Sequence, residues 1–125
     1  MRYLLDTHIL LWWLADDPQL KNKFRKVIAD PDVQIYVSSV SVWEVEIKRS
    51  LNKLTAPNNL LAMIESNQFI ELAMHFSHAE KIKDLPNIHQ DPFDRLLIAQ
   101  SLCENLIFLS EDKIIKKYKM ISFLK

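Results

Sequence analysis

The chain of 125 residues contains no glycine and only one cysteine. Without glycine it cannot form the phosphate-binding loops of P-loop proteins or dinucleotide-binding folds, whose backbones require that residue. The single cysteine, Cys103, excludes an internal disulfide and favours a reducing compartment, and its apolar helical surroundings predict a core position. Left-handed helix ends must then be formed by other residues, for which Asn52, Asn67 and Asn105 are the candidates.

Net charge and long apolar runs are also missing. Sixteen basic and 16 acidic residues give a formal net charge of zero, so no global basic field attracts nucleic acid. The apolar stretch from Ile9 to Ala15 is shorter than the roughly 18 residues of a membrane span, and it lacks the basic lead of a signal peptide. We therefore expect a cytoplasmic protein with one domain over residues 1–125.

Strand-like and helix-like segments alternate along the whole chain. Apolar and β-branched runs predict strands at residues 2–5, 33–38, 69–73, 106–109 and 120–124. Helical periodicity is predicted at residues 8–15, about 20–28, 41–51, 59–67, 77–85, 91–104 and 113–118. Such alternation is typical of parallel strands joined by right-handed crossover helices. We predict an α/β fold, a three-layer α/β/α sandwich with a parallel sheet of four or five strands.

Carboxylates follow strand ends or open helices in four segments. These are Leu4-Leu5-Asp6-Thr7, Ser41-Val42-Trp43-Glu44, Asp91-Pro92-Phe93-Asp94 and Leu109-Ser110-Glu111-Asp112. Ligands of open α/β sheets bind outside the carboxyl ends of the strands, so we expect these acids to meet at one edge. Clustered carboxylates repel unless a cation lies between them, and hard oxygen ligands suit Mg²⁺ or Mn²⁺. The pattern therefore predicts a metal-dependent enzyme.

Taken singly, each acid has a structural explanation that is at least as good. Asp6 and Asp112 suit helix N-caps, where an aspartate accepts a backbone N–H. The spacing Ser41-x-x-Glu44 predicts a capping box. Asp91-Pro92 predicts an N-cap followed by proline at the first helical position. Only the gathering of all four segments at one edge favours chemistry over capping.

Histidine and basic residues near the acids leave two interpretations open. His8 and His89 flank acidic segments, where we prefer ordinary polar loop residues to substrate contacts. Arg95 and Lys48 are candidates for phosphate contacts, with surface ion pairs as the alternative. No Cys/His pair has the spacing of a zinc site.

The motifs can be followed in order through essentially the whole chain. They are Leu4-Leu5-Asp6-Thr7-His8-Ile9-Leu10-Leu11-Trp12, Val37-Ser38-Ser39-Val40-Ser41-Val42-Trp43-Glu44-Val45, His89-Gln90-Asp91-Pro92-Phe93-Asp94-Arg95-Leu96-Leu97-Ile98-Ala99-Gln100 and Leu109-Ser110-Glu111-Asp112. Together they resemble the PIN-domain ribonucleases, most closely the toxin halves of bacterial VapBC-type toxin–antitoxin pairs. The Asp-Pro-Phe-Asp-Arg-Leu-Leu segment is the most specific. Turn glycines common in that family are missing, and Ser110 stands where threonine is usual.

The resemblance implies a set of site residues and partners. The metal-binding carboxylates would be Asp6, Glu44, Asp94 and Asp112, with Asp91 beside them and with Thr7 and Ser110 as orienting hydroxyl groups. One or two Mg²⁺ ions, with Mn²⁺ as the alternative, would activate a water for in-line attack on an RNA phosphodiester. The implied partner is a VapB-like antitoxin protein.

The segment from Ile9 to Ala15 is apolar nearly all round, which is more than one core-facing stripe requires. With Leu60, Leu61 and Ile64 it predicts a groove for an amphipathic antitoxin segment, part of which would also support a homodimer. Burial of its two tryptophans in the core is an equally good explanation.

Three other functions remain open from the sequence. A PIN nuclease can act in RNA maturation without an antitoxin. A phosphoacceptor receiver domain is also small, parallel and acidic at its sheet edge, but residues 33–39 end in serine where an acceptor aspartate is wanted. A binding module with an inactive site is the least favoured, because all four acids are present.

Overall fold

A parallel sheet of five strands runs through the centre of the computed structural model, which describes all residues from Met1 to Lys125. The strands are β1 (Arg2–Leu5), β2 (Gln34–Ser38), β3 (Ile70–Leu72), β4 (Ile107–Leu109) and β5 (Ser122–Phe123). The helices are α1 (Thr7–Leu14), α2 (Asn22–Ala29), α3 (Ser39–Ser50), α4 (Leu60–Ser66), α5 (Phe76–Lys81) and α6 (Pro92–Glu104). None of them combines the length and apolar character needed to cross a membrane. The predicted three-layer α/β/α sandwich is confirmed, with five strands.

Helices cover both faces of the sheet, which explains why its strands are apolar without alternation. Successive side chains of a strand point to opposite faces. In β1, Tyr3 and Leu5 therefore pack in one core with Phe24 of α2. Leu4 points the other way and packs in a second core with Leu97 of α6.

The order of the strands is β3-β2-β1-β4-β5, so the chain builds outward from β1 to β3 and then returns to β4 on the other side of β1. All neighbouring strands are parallel, and their carboxyl ends therefore share one edge. The reversal of direction between β1 and β4 is the switch point at which open α/β sheets bind ligands. Just beyond β1, the backbone N–H of Asp6 donates to the carbonyl of Leu109 at 3.0 Å, which joins the two strand ends there.

The start of α3 corrects one prediction. Its N-cap is Ser38, whose hydroxyl accepts the backbone N–H of Val40. The capping box predicted for Ser41 and Glu44 is therefore wrong, because the cap is three residues earlier and both residues lie inside the helix. The predicted helix at 77–85 is α5 followed by a 3₁₀ turn, Ile82–Asp84, and the one at 113–118 is a single 3₁₀ turn, Ile115–Lys117.

Left-handed backbone positions are formed without glycine. Asn52 and Asn105 have positive φ angles of 55° and 53°, as predicted. Asn67 does not, since it ends α4 in a right-handed conformation and Gln68 takes the positive φ of 59° instead. The core position predicted for Cys103 is also wrong, because this residue lies on the exposed side of α6.

Candidate metal centre

The first acid of the site lies at the carboxyl end of the central strand. Asp6 is buried, and one of its carboxylate oxygens accepts a hydrogen bond of 2.7 Å from the hydroxyl of Ser110, which follows β4. Ser110 in turn accepts the backbone N–H of Asp112 at 3.0 Å. Asp6 is the N-cap residue of α1 by position, but its side chain makes no capping hydrogen bond. Its carboxylate is therefore free of capping and oriented by Ser110.

The second acid comes from α3, which follows the neighbouring strand β2. Glu44 is only 2% exposed, and its Oε1 accepts a hydrogen bond of 2.7 Å from the Thr7 hydroxyl. Its Oε2 lies 2.5 Å from Nζ of Lys48, so these two residues form the ion pair that their i,i+4 spacing allows. The Thr7 hydroxyl also lies 2.9 Å from that of Ser41. Both carboxylate oxygens of Glu44 thus have polar partners despite their burial.

At the start of α6 one acid caps and the other does not. Oδ1 of Asp91 accepts the backbone N–H groups of Phe93 and Asp94 at 2.8 and 3.1 Å, which is the geometry of an N-cap. Asp94 is one turn further on and takes no part in capping its own helix. Its Oδ2 lies 2.9 Å from Nε2 of His89.

Asp112 divides its two oxygens between capping and the site. Oδ1 accepts the backbone N–H groups of Ile114 and Ile115 at 2.8 and 3.2 Å, so it holds the following turn. Oδ2 lies 3.7 Å from Nε2 of His89. The capping and metal-binding interpretations of this residue are therefore compatible, because each uses a different oxygen.

His89 lies among the acids, where the sequence had favoured an ordinary loop position. Its Nδ1 accepts the backbone N–H of Asp91 at 3.1 Å, which leaves the ring proton of a neutral imidazole on Nε2. Nε2 is buried next to Asp94 and Asp112, yet neither carboxylate is aligned to accept a hydrogen bond from it. In the sequence, the signal that could have identified His89 is its position two residues before Asp91, the N-cap of α6.

Arg95 holds the segment that carries His89. Its guanidinium donates to the carbonyls of Pro86, His89 and Ile82 at 3.2 to 3.4 Å, and it lies 3.3 Å from the hydroxyl of Tyr118. Tyr118 also accepts the backbone N–H of His89 at 2.8 Å. The guanidinium therefore donates mainly to backbone carbonyls. In this structure Arg95 forms no ion pair with an acid, and its donors are not free to contact a phosphate.

The acids raise one another's proton affinity. Burial raises the pKa of Asp94 to about 8, and the charges of four neighbouring carboxylates add to the effect. Burial also raises the pKa of Asp6 to about 6, against the opposing hydrogen bond from Ser110. Charged carboxylates are costly in such surroundings unless a cation offsets them.

The donor set fits a hard divalent cation. Ligand atoms of His89, Asp94 and Asp112 all lie within 4.8 Å of one another, while Asp6 and Asp112 line one open cleft of about 250 Å³. With its proton on Nε2, His89 would offer an ion no lone pair, so the groups here that could hold a hard cation are the carboxylate oxygens. The buried, unpartnered Nε2–H is complementary to a further oxygen atom brought in with such an ion.

Of the residues assigned to a partner groove, Leu60 and Ile64 are buried in the same core as α1, and the more exposed ones line different clefts. Trp12 lines the acidic cleft together with His8. Trp13 instead donates its indole N–H to Asn67 at 2.9 Å. Leu61 is 63% exposed and lines a different cavity of about 330 Å³, between α3, α4 and the edge of the sheet. A cleft of about 340 Å³ does lie between α1 and α4, where Trp13 and Leu14 face Met63, but Leu61 is not part of its lining. The groove for an antitoxin segment therefore stays a prediction.

Comparisons with known proteins agree with this architecture. The profile of the family described as PIN domain matches residues 3–120. The chain is similar to the solved structure of VapBC2 from Rickettsia felis bound to a promoter DNA fragment, with a TM-score of 0.72, 14% identity, and coverage of 99% of this chain and 98% of that one. It is also similar to DNA-bound VapBC from Salmonella typhimurium, with a TM-score of 0.73, 15% identity, and coverage of 99% and 97%.

A third similar structure is VapBC-1 from nontypeable Haemophilus influenzae, with a TM-score of 0.71, 15% identity, and coverage of 100% of this chain and 98% of that one. Among curated protein sequences nothing matches significantly. The profile match covers nearly the whole chain, and the chain belongs to the PIN-domain family.

Proposed function

We propose that this PIN-domain chain is a metal-dependent endoribonuclease and the toxin of a VapBC-type toxin–antitoxin pair. The metal would be Mg²⁺ or Mn²⁺, held by oxygens of Asp6, Glu44, Asp94 and Asp112. The observation that carries the proposal is the convergence of these carboxylates, from the ends of two strands and from two helices, near the switch point of the sheet.

The chain's own residues would prepare the site for phosphodiester hydrolysis. Ser110 and Thr7 hold Asp6 and Glu44 in fixed orientations through short hydrogen bonds. A bound divalent ion would supply a more acidic water and positive charge against the phosphate oxygens. The Nε2–H of His89, buried without an aligned acceptor, would donate to an oxygen that arrives with the ion or the substrate.

Cleavage of RNA with and without metal tests this proposal. We expect the purified protein to cut RNA in Mg²⁺ or Mn²⁺ and to stop in excess EDTA, with activity restored by added metal. Growth inhibition on expression of the chain alone would support the toxin role. Full cleavage in EDTA would contradict the metal-nuclease mechanism.

The strand order bears on one alternative. A receiver-type phosphoacceptor domain has the order 2-1-3-4-5, whereas this sheet has β3-β2-β1-β4-β5. A PIN nuclease of RNA maturation without an antitoxin shares every feature of the site. Growth at a normal rate during expression of an RNA-cleaving protein would favour that second function.

The partner that we propose is a VapB-like antitoxin. Three of the similar structures are of VapBC proteins, and two of those are bound to DNA. Here the exposed Leu61 and the neighbouring cavity, lined also by Val42, Ile64 and Phe69, offer an apolar surface to an amphipathic segment. We further propose that the chain forms a homodimer.

Co-purification with the product of a short neighbouring reading frame tests the partner. We expect a stable complex and loss of RNA cleavage in it, and we expect Leu61→Asp to weaken that complex while RNA cleavage by the free chain is retained. Tryptophan emission should change if the partner covers Trp12 or Trp13. Size-exclusion chromatography with light scattering tests the homodimer, which a monomeric mass would contradict.

A further inference from the structure

An aromatic pair lies immediately beside the acids and has no part in the metal centre. Trp43 directly precedes Glu44 in α3, and Phe93 directly precedes Asp94 in α6. Their rings meet edge to face, with centroids 4.9 Å apart and planes at 74°. Phe93 is half-buried, whereas Trp43 remains 52% exposed, which is unusual for so large an apolar side chain.

A cation borders the same pair. Nζ of Lys48 lies 6.0 Å from the centroid of the Phe93 ring while it is paired with Glu44. Partial burial lowers the pKa of this ammonium group, but the hydrogen bond and charge of Glu44 outweigh that effect, and the charges of Asp91 and Asp94 raise the pKa further. The ammonium group of Lys48 therefore lies between Glu44 and the Phe93 ring, which in turn contacts the exposed indole of Trp43.

Packing alone accounts for Phe93 better than for Trp43. A smaller apolar residue at position 43 could cover the edge of Phe93, but it would not present a wide aromatic surface to solvent. Unpaired nucleobases are recognised by stacking on such surfaces, next to cations that contact the phosphate backbone. Base stacking requires no particular sequence, because every base has an aromatic face.

We infer that Trp43, supported by Phe93, stacks an unpaired nucleobase of the RNA substrate and so favours the binding of single-stranded segments over duplex. This inference depends on the proposed ribonuclease function. Lys48 would contact a phosphate next to the stacked base, while the acids act on the scissile phosphodiester. In a duplex the bases are stacked on each other and cannot reach the indole.

Binding measurements test this inference separately from cleavage. The probes are a fluorescein-labelled pool of single-stranded RNAs, 12 nucleotides of random sequence, and a blunt RNA duplex of equal length. The protein carries Asp6→Asn to suppress hydrolysis, and fluorescence anisotropy is recorded in Mn²⁺. We expect Trp43→Leu to bind the single strands about tenfold more weakly, as the loss of one stacked base predicts. Trp43→Phe should stay within about threefold of the unsubstituted protein.

Two controls separate stacking from structure. Trp43→Leu keeps an apolar contact with Phe93, and thermal denaturation will show that it is folded. Leu51→Ala removes a similarly exposed apolar side chain, 57% accessible at the far end of the same helix, and should bind RNA normally. In a protein with Trp12→Phe and Trp13→Phe, emission from Trp43 should be quenched by the single strands and not by the duplex.

Each outcome has a distinct meaning. Equal affinity of Trp43→Leu and the unsubstituted protein for single strands would overturn the inference, as would equal quenching by the duplex. Absence of RNA cleavage by the protein with Asp6 intact, in either Mg²⁺ or Mn²⁺, would instead overturn the proposed ribonuclease function. Quenching by the antitoxin and not by RNA would reassign Trp43 to the partner interface and contradict stacking.

Discussion

The end of β1 and the start of α6 both bring an aspartate to the centre of the site, but they hold it differently. Asp6 follows a buried central strand and accepts a short hydrogen bond from Ser110. Asp94 lies in the first turn of a helix whose N-terminal N–H groups are already bonded to Asp91. Its nearest polar neighbour, Nε2 of His89, is not aligned as a donor.

This difference appears in the proton affinities of the two acids. Asp6 is buried and Asp94 only partly buried, yet the pKa of Asp6 rises to about 6 and that of Asp94 to about 8. The hydrogen bond from Ser110 favours the charged form of Asp6, whereas the surrounding carboxylates disfavour the charged form of Asp94. The fold thus stabilises the charged form of Asp6 through Ser110 and provides no comparable donor for Asp94.

The largest effect on RNA cleavage should come from removing the charge of Asp6. Asp6→Asn keeps the shape of the side chain and an oxygen for Ser110, but it loses the charge that holds the ion. We expect cleavage to fall by more than the roughly 10- to 100-fold typical of changes that act through a ligand's neighbours. Gel assays of RNA cleavage in Mg²⁺ measure this, and a thermal melt close to that of the unsubstituted protein serves as the control. Substantial activity in this variant would show that Asp6 is not needed to hold the metal ion.

The second prediction separates the two aspartates of α6. Asp94→Asn should lose most metal-dependent cleavage, because a neutral amide does not balance the charge of an ion. Asp91→Ser should retain the N-cap and substantial activity, since serine also accepts the backbone N–H groups. Cleavage and melting temperature, measured in parallel, distinguish the roles. If Asp91→Ser were stable but inactive while Asp94→Asn still cleaved RNA, Asp91 would be the metal-binding acid and Asp94 the structural one.

The third prediction tests what the hydrogen bond from Ser110 contributes. Ser110→Ala leaves Asp6 charged but without its orienting donor, and we expect about a tenfold loss of cleavage, mainly as a higher metal requirement. Ser110→Thr restores a hydroxyl at the same position and should recover most of the activity. Titration of activity against Mn²⁺ concentration compares the two variants. Equal metal requirements would mean that the backbone alone orients Asp6.

The fold was largely predictable because each strand is a short apolar run between clear breaks. Parallel order follows from the alternation of strands and helices, and both faces of β1 are buried as its unbroken apolar pattern indicates. Helix starts were harder, because several serines compete for one cap. Ser38 caps α3 where Ser41 had the better spacing to Glu44. The ion pair of Glu44 with Lys48 follows from their i,i+4 spacing, but only the structure shows that Glu44 also accepts a hydrogen bond from Thr7.

His89 and Cys103 show what local patterns leave out. The histidine reaches the acids because Arg95 and Tyr118 hold its segment, through contacts 6 to 29 residues apart in sequence. Cys103 belongs to a helix that is apolar over most of its surface, so periodicity does not reveal which side faces solvent. Tertiary contacts decide both cases, and sequence spacing alone does not contain them.

The smallest effect we predict concerns stability without metal. Between about pH 4 and pH 8 the native chain keeps a proton on Asp94 that the unfolded chain has lost, because the native pKa is about 8 and the ordinary value is 3.8. The native state then binds more protons, so the free energy of unfolding falls as the pH rises through this range. Because solvent still reaches this carboxylate and screens its charge, we expect the free energy of unfolding to fall by only about 1–2 kcal/mol over this range. Each kcal/mol corresponds to about 4 °C in melting temperature.

Asp94→Asn tests this contribution, because its neutral amide carries no titrating proton, whereas the pKa of Asp6 is about 6 and most of its titration is over before pH 8. In EDTA the melting temperature of the unsubstituted protein should fall between pH 6 and pH 8, while that of Asp94→Asn should fall less and lie higher at pH 8. Mn²⁺ should raise the melting temperature of the unsubstituted protein more at pH 8 than at pH 6. The ion competes with the proton of Asp94, and this proton is bound less tightly at the higher pH. Parallel pH profiles for both proteins would mean that Asp94 is as well stabilised by the fold as Asp6, and the contrast between the two ends of the site would disappear.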